Sequence, residues 1–285
     1  MPLTDSGKSY RNECTGDALV TVNAHSRDEA ITLFGACFCP FVQRVWIAFE
    51  YLQIPYKVRE VDPYKKPKSL LELSPKGLVP ALRLETFDPP RALNESTVIL
   101  EFLEDTALSS GKNTLLPPSS APYPRARIRL ISDHINRTLI PSFYRFLQTS
   151  SNTPDSDEKL VENGKEYRES LEGLGEMMQK AEKDGVEGLG MWKEGGEIGW
   201  TDVMVGPWLF RSTNVLAHYR SFDLLPPSAE NSKFAAWIDR LFAHPAFKAT
   251  CSTEDLYIDS YERYAWNRPN TSQVANAINS GRGLP

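Results

Sequence analysis

Residues 117–124 read Pro-Pro-Ser-Ser-Ala-Pro-Tyr-Pro, and four prolines in eight positions forbid both a helix interior and a central strand there. The chain must therefore fold as two units on either side of this break, with residues 109–124 as the linker. On the N-terminal side, short apolar runs alternate with helix-period stretches. Residues 31–36 read as a buried strand, and Phe41, Val45, Ala48, Phe49 and Leu52 then form a helical stripe that stops before Ile54-Pro55. Residues 56–61 and 78–84 read as further strands, 67–73 as a short helix and 92–93 as an edge strand. A helix opening at Ser96 carries Ile99, Phe102, Leu103 and Ala107 on one face. On the C-terminal side, residues 123–147, 159–183, 202–219 and 234–247 all have helix-length patterns, with Pro141 expected to kink the first. The fold class is α/β followed by all-α. The expected division is an N-terminal extension at 1–29, an α/β domain at 30–108, an all-α domain at 125–265 and a loosely held tail at 266–285.

Composition removes several classes of function. A formal net charge of −5, with no run of five basic residues, offers no general attraction for a phosphate backbone, so no nucleic-acid partner is expected. No stretch approaches the roughly 20 apolar residues of a membrane span. Residues 1–29 lack the apolar core of a secretory signal and the acid-poor character of a transit peptide, and a cytoplasmic protein with no membrane partner is the expectation. The four cysteines, at 14, 37, 39 and 251, match neither a disulfide framework nor a zinc spacing with the four histidines. Free thiols and no metal follow.

Chemistry concentrates in Cys37-Phe38-Cys39-Pro40-Phe41, where the first strand turns into the first helix of the α/β domain. Proline at the first helical position loses nothing, since its missing N–H would be unpaired there anyway, and this makes Cys39 the N-cap. The N–H groups of Phe41 and Val42 and the positive end of the helix dipole then favour thiolate, so Cys39 is expected to be ionised at neutral pH. Val42 stands where a dithiol Cys-x-x-Cys site has its second cysteine, so a mixed disulfide at Cys39 needs an external thiol for release. Cys37 is close enough to consider as a resolving thiol, but a Cys-x-Cys ring is strained and a buried structural role is the better expectation.

Phe38-Cys39-Pro40-Phe41, Gly77-Leu78-Val79-Pro80 and Asn94-Glu95-Ser96 follow one another with the order and spacing of the omega-class, cysteine-type glutathione transferases. Residues 31–104 resemble the thioredoxin-like N-terminal domain of that class, and the helical part fits its C-terminal domain. The resemblance implies glutathione as co-substrate and Cys39 as nucleophile. It implies a cis Pro80 presenting the Val79 backbone to the cysteinyl part of glutathione, with Phe41 and Leu78 beside it. Glu95 and Ser96 would take the γ-glutamyl amine and carboxylate, and Lys66 the glycyl carboxylate, with Lys65 as its neighbour.

In the helical domain the class keeps a Ser/Thr-x-x-Asp capping box, where this chain has Gly199-Trp200-Thr201-Asp202. Glycine is an acceptable N-cap and Asp202 can still reach back. Pro40, Trp208, Arg211 and Tyr257 are assigned by resemblance to a second-substrate pocket, against the alternative that aromatic residues at helical spacing are core. His134, His218 and His244 face no nucleophile and read as surface or core residues. The implied activity is thiol transfer and glutathione-dependent reduction: deglutathionylation, dehydroascorbate reduction or S-glutathionyl-ketone reduction. The partners are glutathione and a small hydrophobic or disulfide substrate, in a homodimer. Two rivals stand beside it: a glutathionyl-hydroquinone reductase, whose motif carries Trp where this chain has Phe41, and a non-catalytic glutathione-binding relative.

Overall fold

The computed structural model describes residues 11–149, 156–226 and 232–284. The expected extension begins outside them, at residues 1–10, and the tail's last residue, 285, also lies outside. A four-stranded sheet forms the N-terminal unit, from β1 (Ile31–Gly35), β2 (Lys57–Glu60), β3 (Ala81–Leu84) and β4 (Arg91–Asn94) in the order β2-β1-β3-β4. β1 pairs parallel to β2, with Leu33 opposite Val58, and antiparallel to β3, with Leu33 opposite Leu82. The parallel pair requires a crossover, and α2 (Pro40–Leu52) supplies it. α2 and α4 (Ser96–Ser109) pack together, and Val45, Ala48, Phe49, Leu100 and Leu103 on them are all buried in one core. The short α3 (Lys68–Leu73) covers the other face, placing Leu70 against Phe34, Val61 and Ala81. This is a thioredoxin-like domain followed by a helical one.

The third strand starts three residues later than its apolar run, because residues 78–80 are spent on a loop that ends in a cis Val79–Pro80 peptide. In the helical domain α5 (Pro122–His134) and α6 (Ile140–Gln148) join through a π-helical turn at Ile135–Leu139. Pro141 thus sits at the start of α6, directly after the π-helical turn. α7 (Ser156–Lys183) packs on α6, and α8 (Trp200–Arg211), buried nearly throughout, packs on α2. α8 and the shorter α11 (Pro245–Lys248) both fasten the helical domain to α2. Among the described residues, no helix is long and apolar enough to cross a membrane.

The N-terminal extension docks from residue 11 onward, and the tail departs from its expected looseness. Residues 11–25 carry α1 (Gly16–Ala24), which docks on the helical domain through Ala18 N–H to Cys251 O (3.0 Å) and Thr21 Oγ1 to Ala249 O (2.7 Å). They also reach the sheet: His25 O accepts from Val58 N–H at 2.9 Å and Glu60 Oε1 accepts from Cys14 N–H at 2.7 Å. After α9 (Ala217–Arg220), α10 (Lys233–Ala243), α11 (Pro245–Lys248) and α12 (Glu254–Ala265), the tail forms α13 (Gln273–Asn279), with Ala275 and Ile278 buried against α6. Ser272 caps it, its Oγ accepting from Ala275 N–H at 2.9 Å. Asn, Ser and Gly in this stretch make caps and turns around a short apolar face, not a loose end.

Candidate active site

Cys39 is the N-cap of α2, with extended backbone (φ −73°, ψ 122°) and Pro40 at the first helical position. Its half-buried Sγ lies 3.9 Å from Val79 O. Two adjoining cavities meet there, sharing Phe41, Leu78, Val79 and Val274 in their walls. The smaller, about 110 Å³, contains Cys39, Pro40, Lys66, Tyr144 and Tyr264. The larger, about 720 Å³, runs over Pro80, Glu95 and Ser96 and is within the range of small-ligand sites. All eight residues expected to form the nucleophile and glutathione site therefore line one continuous cleft between the domains, with Pro40 beside them.

The protonation of Cys39 differs from the expectation. Burial pushes its thiol above the ordinary cysteine range, and this outweighs the N–H groups of Val42 and Phe41 and the guanidiniums of Arg211 and Arg44, which all favour thiolate. Neither N–H closes a full hydrogen bond to the sulfur. The cap position supplies the right dipole, but the thioredoxin-like and helical domains together dehydrate the sulfur more than the helix end compensates. Cys37 is buried, its Sγ donating to Arg11 O at 3.3 Å, and burial together with the Glu60 charge raises it to about 12. That is a structural thiol.

Ser96 opens α4 and Glu95 precedes it at φ +69°, a left-handed conformation that costs a non-glycine residue about 1–3 kcal/mol and is found at sites where a side chain must be aimed. Lys66 Nζ donates to Lys76 O at 2.8 Å, which folds it over the loop at Gly77 on the rim of the Cys39 cavity. Lys65 stays exposed.

Arg44 has no counterpart among the residues singled out from sequence. Its Nε donates to Met204 O at 2.8 Å, its Nη2 to Asn136 Oδ1 at 3.0 Å, and Nη1 approaches Ser96 Oγ at 3.4 Å. The guanidinium lies 4.4 Å from the Trp208 ring. Burial depresses its pKa, so the charge is sustained by these acceptors and ring faces. It places a cation in the wall of the larger cavity beside Ser96. The sequence signal was present: Gln43 and Arg44 are the polar pair in an otherwise apolar helix start, and a charge there must be used for something. Tyr144 and Tyr264 were missed because tyrosines in a helix carry no local mark of facing a cavity.

Three of the four residues assigned to a second-substrate pocket are elsewhere. Trp208, Arg211 and Tyr257 are fully buried and line neither cavity. Arg211 lies under the start of α2, donating to Gln43 Oε1 and, at 3.2 Å, to Phe38 O, with its guanidinium 3.9 Å above the Tyr257 ring. Tyr257 in turn accepts from Ser252 N–H at 2.8 Å. They form the floor that holds the Cys39 loop.

The capping box closes as expected, with Gly199 as N-cap. Asp202 Oδ2 accepts from Gly199 N–H (2.7 Å) and Met191 N–H (2.9 Å), and Oδ1 from Trp237 Nε1 (2.6 Å). Burial raises this carboxyl to about 6 against those three donors. Glycine stands at 199 for a steric reason: a Cβ there would lie 2.9 Å from Gly190 Cα. Among the described residues, no group of three or more His, Cys, Asp or Glu side chains is arranged to hold a metal.

Residues 33–110 match the family model described as glutathione S-transferase, N-terminal domain. The chain is similar to the crystal structure of glutathione transferase Omega 3C from Trametes versicolor, 31% identical, with 85% of this chain and 97% of that one aligned at a TM-score of 0.69. It is 27% identical to the pyrimidodiazepine synthase of Drosophila melanogaster over 243 residues, 85% of this chain and 89% of that protein. It is 24% identical to glutathione S-transferase DHAR2 of Arabidopsis thaliana over 79% of this chain and 89% of that one. With a cysteine-capped helix facing an interdomain cleft, and this identity along nearly the whole of a solved relative, the chain belongs to the glutathione transferase family.

Proposed function

We propose that the protein is a glutathione-dependent thiol transferase and reductase of the omega type, with Cys39 as its nucleophile. The observation that carries this reading is the position of the Cys39 sulfur: at the N-cap of α2, beside the Val79 carbonyl, where the two cavities meet. In the larger cavity Val79 pairs by main chain with the cysteinyl part of glutathione. Phe41, Leu78 and Pro80 flank it, Glu95 and Ser96 take the γ-glutamyl end with Arg44 behind them, and Lys66 reaches the glycyl carboxylate from the rim of the smaller cavity. The smaller cavity takes the acceptor, a small hydrophobic or disulfide compound.

Deprotonated Cys39 attacks the glutathione sulfur of a mixed disulfide, forming a Cys39–glutathione disulfide as the S–S bond of the substrate breaks, and the departing thiolate takes up a proton. The thiolate of a second glutathione then attacks the glutathionyl sulfur, and glutathione disulfide leaves with Cys39 restored. No second protein thiol is needed, which agrees with Val42 in the place of a resolving cysteine and with Cys37 buried and protonated. The same reading assigns glutathione binding to residues 30–108, joined by the 109–124 linker to the helical domain at 125–265, in a cytoplasmic homodimer.

The test is glutathione-dependent reduction of a small mixed disulfide by the wild type, Cys39→Ser and Cys37→Ser. Activity lost in Cys39→Ser alone supports the monothiol cycle. Full turnover without Cys39 refutes it, and glutathione binding without any turnover by the wild type marks a binding protein instead.

A further inference from the structure

The C-terminal segment does more than pack. Thr271, Ser272, Gln273 and Val274 line the Cys39 cavity together with Tyr144 and Tyr264, and Val274, Gly283 and Leu284 continue over the larger one. The segment is anchored on the helical domain: Thr271 Oγ1 donates to Arg263 O (3.3 Å), and Gln148 Nε2 donates to Asn279 Oδ1 (3.1 Å). From there it crosses the cleft. Gln273 Nε2 donates to Lys76 O at 3.0 Å, the same carbonyl that holds Lys66, so the segment is latched to the glutathione-side loop of the other domain.

We propose that residues 271–284 are a specificity element, a roof that confines the acceptor at Cys39 to small molecules and excludes glutathione carried on a protein surface. This rests on Cys39 being the nucleophile. The argument is steric. A free mixed disulfide needs room only for its own few atoms beside the sulfur, and the space between Cys39, Tyr144, Tyr264 and the segment is about 110 Å³. A glutathionylated protein must bring its cysteine, with the backbone on both sides, to the same sulfur, and the Gln273–Lys76 latch spans that approach. Deglutathionylation of proteins is thereby removed from the activities this site supports, and reduction of low-molecular-weight glutathionyl disulfides and thioethers is retained.

Two measurements test it, on the full chain, on a chain ending at Asn270, and on Gln273→Ala, which removes the latch without removing the helix. First, kcat/KM is compared for the mixed disulfide of glutathione with 2-mercaptoethanol and for glutathionylated serum albumin. The full chain should prefer the small substrate by about a hundredfold or more, and both variants should gain about tenfold on the albumin. Second, Cys39 labelling by N-ethylmaleimide is compared with labelling by a polyethylene-glycol maleimide, read by peptide mapping. The bulky reagent should be disfavoured in the full chain and recover in the variants. Comparable turnover of glutathionylated albumin and the small disulfide by the full chain overturns the proposal. So does a bulky-to-small labelling ratio that is the same in all three proteins. If the full chain shows no turnover yet keeps the labelling selectivity, the roof stands and the catalytic reading fails.

Discussion

Arg211 offers the sharpest test of how the site is built, because sequence resemblance puts it in the acceptor pocket and the structure puts it beneath Cys39. Replacing it by alanine leaves Gln43 Oε1 and Phe38 O without their buried donor, at about 1–3 kcal/mol each. It also removes a desolvated cation–π contact with Tyr257 worth about 2 kcal/mol. Against these losses stands the cost of burying the guanidinium itself, several kcal/mol, which the substitution relieves. A net destabilisation of about 2 kcal/mol is expected, which for a chain of this size lowers Tm by about 4 °C. Arg211→Lys keeps the charge but not the fork and should fall in between. The assay is thermal unfolding of both variants beside the wild type, with KM for a small mixed disulfide measured well below Tm. If Arg211→Ala keeps the wild-type Tm and raises only the acceptor KM, the arginine lines the pocket and is not part of a floor beneath Cys39.

Three further outcomes follow from individual groups. Because burial raises the Cys39 thiol, its alkylation rate in the ligand-free protein should climb with pH through the alkaline range, followed by mass spectrometry; a rate already at its plateau at pH 6 would show that the helix end wins. Gly199→Ser restores a common N-cap yet should destabilise the protein by about 1–3 kcal/mol in urea unfolding, since its Cβ meets Gly190 Cα at 2.9 Å, and a stabilised variant would contradict the packing. Asp202 has its carboxyl raised from 3.8 to about 6, so the folded state holds a proton that the unfolded state releases between those values. Its contribution to stability therefore falls as pH rises through that window, by about 3 kcal/mol, and is flat above it. The stability difference between wild type and Asp202→Asn should shrink by about 2 kcal/mol from pH 4 to pH 6, and a constant difference would place the Asp202 pKa near its ordinary value.

What the sequence determined by itself is whatever depends on neighbours along the chain. The Cys39-Pro40 start of α2, the apolar stripe of Val45, Ala48 and Phe49, the opening of α4 at Ser96 and the break at 117–124 are decided by local backbone rules and periodicity, and the sheet-then-helices architecture follows from them. The residues expected on the glutathione side all line the two adjoining cavities, and most of them sit at or beside an element end, where a turn fixes the direction. Tertiary structure alone decided what depends on solvent exclusion and on contacts between distant positions. Arg211 and Gln43 are 168 residues apart, and only the packing of α8 on α2 turns that arginine under the active-site loop instead of into the cleft. Gln273 reaches Lys76 across 197 residues, so a tail that reads as loose becomes the cover of the site. The protonation of Cys39 belongs to the same class. A helix N-terminus favours the thiolate by a local dipole, but the water lost when two domains close on the sulfur is a property of the assembled fold, and here the second effect is the larger.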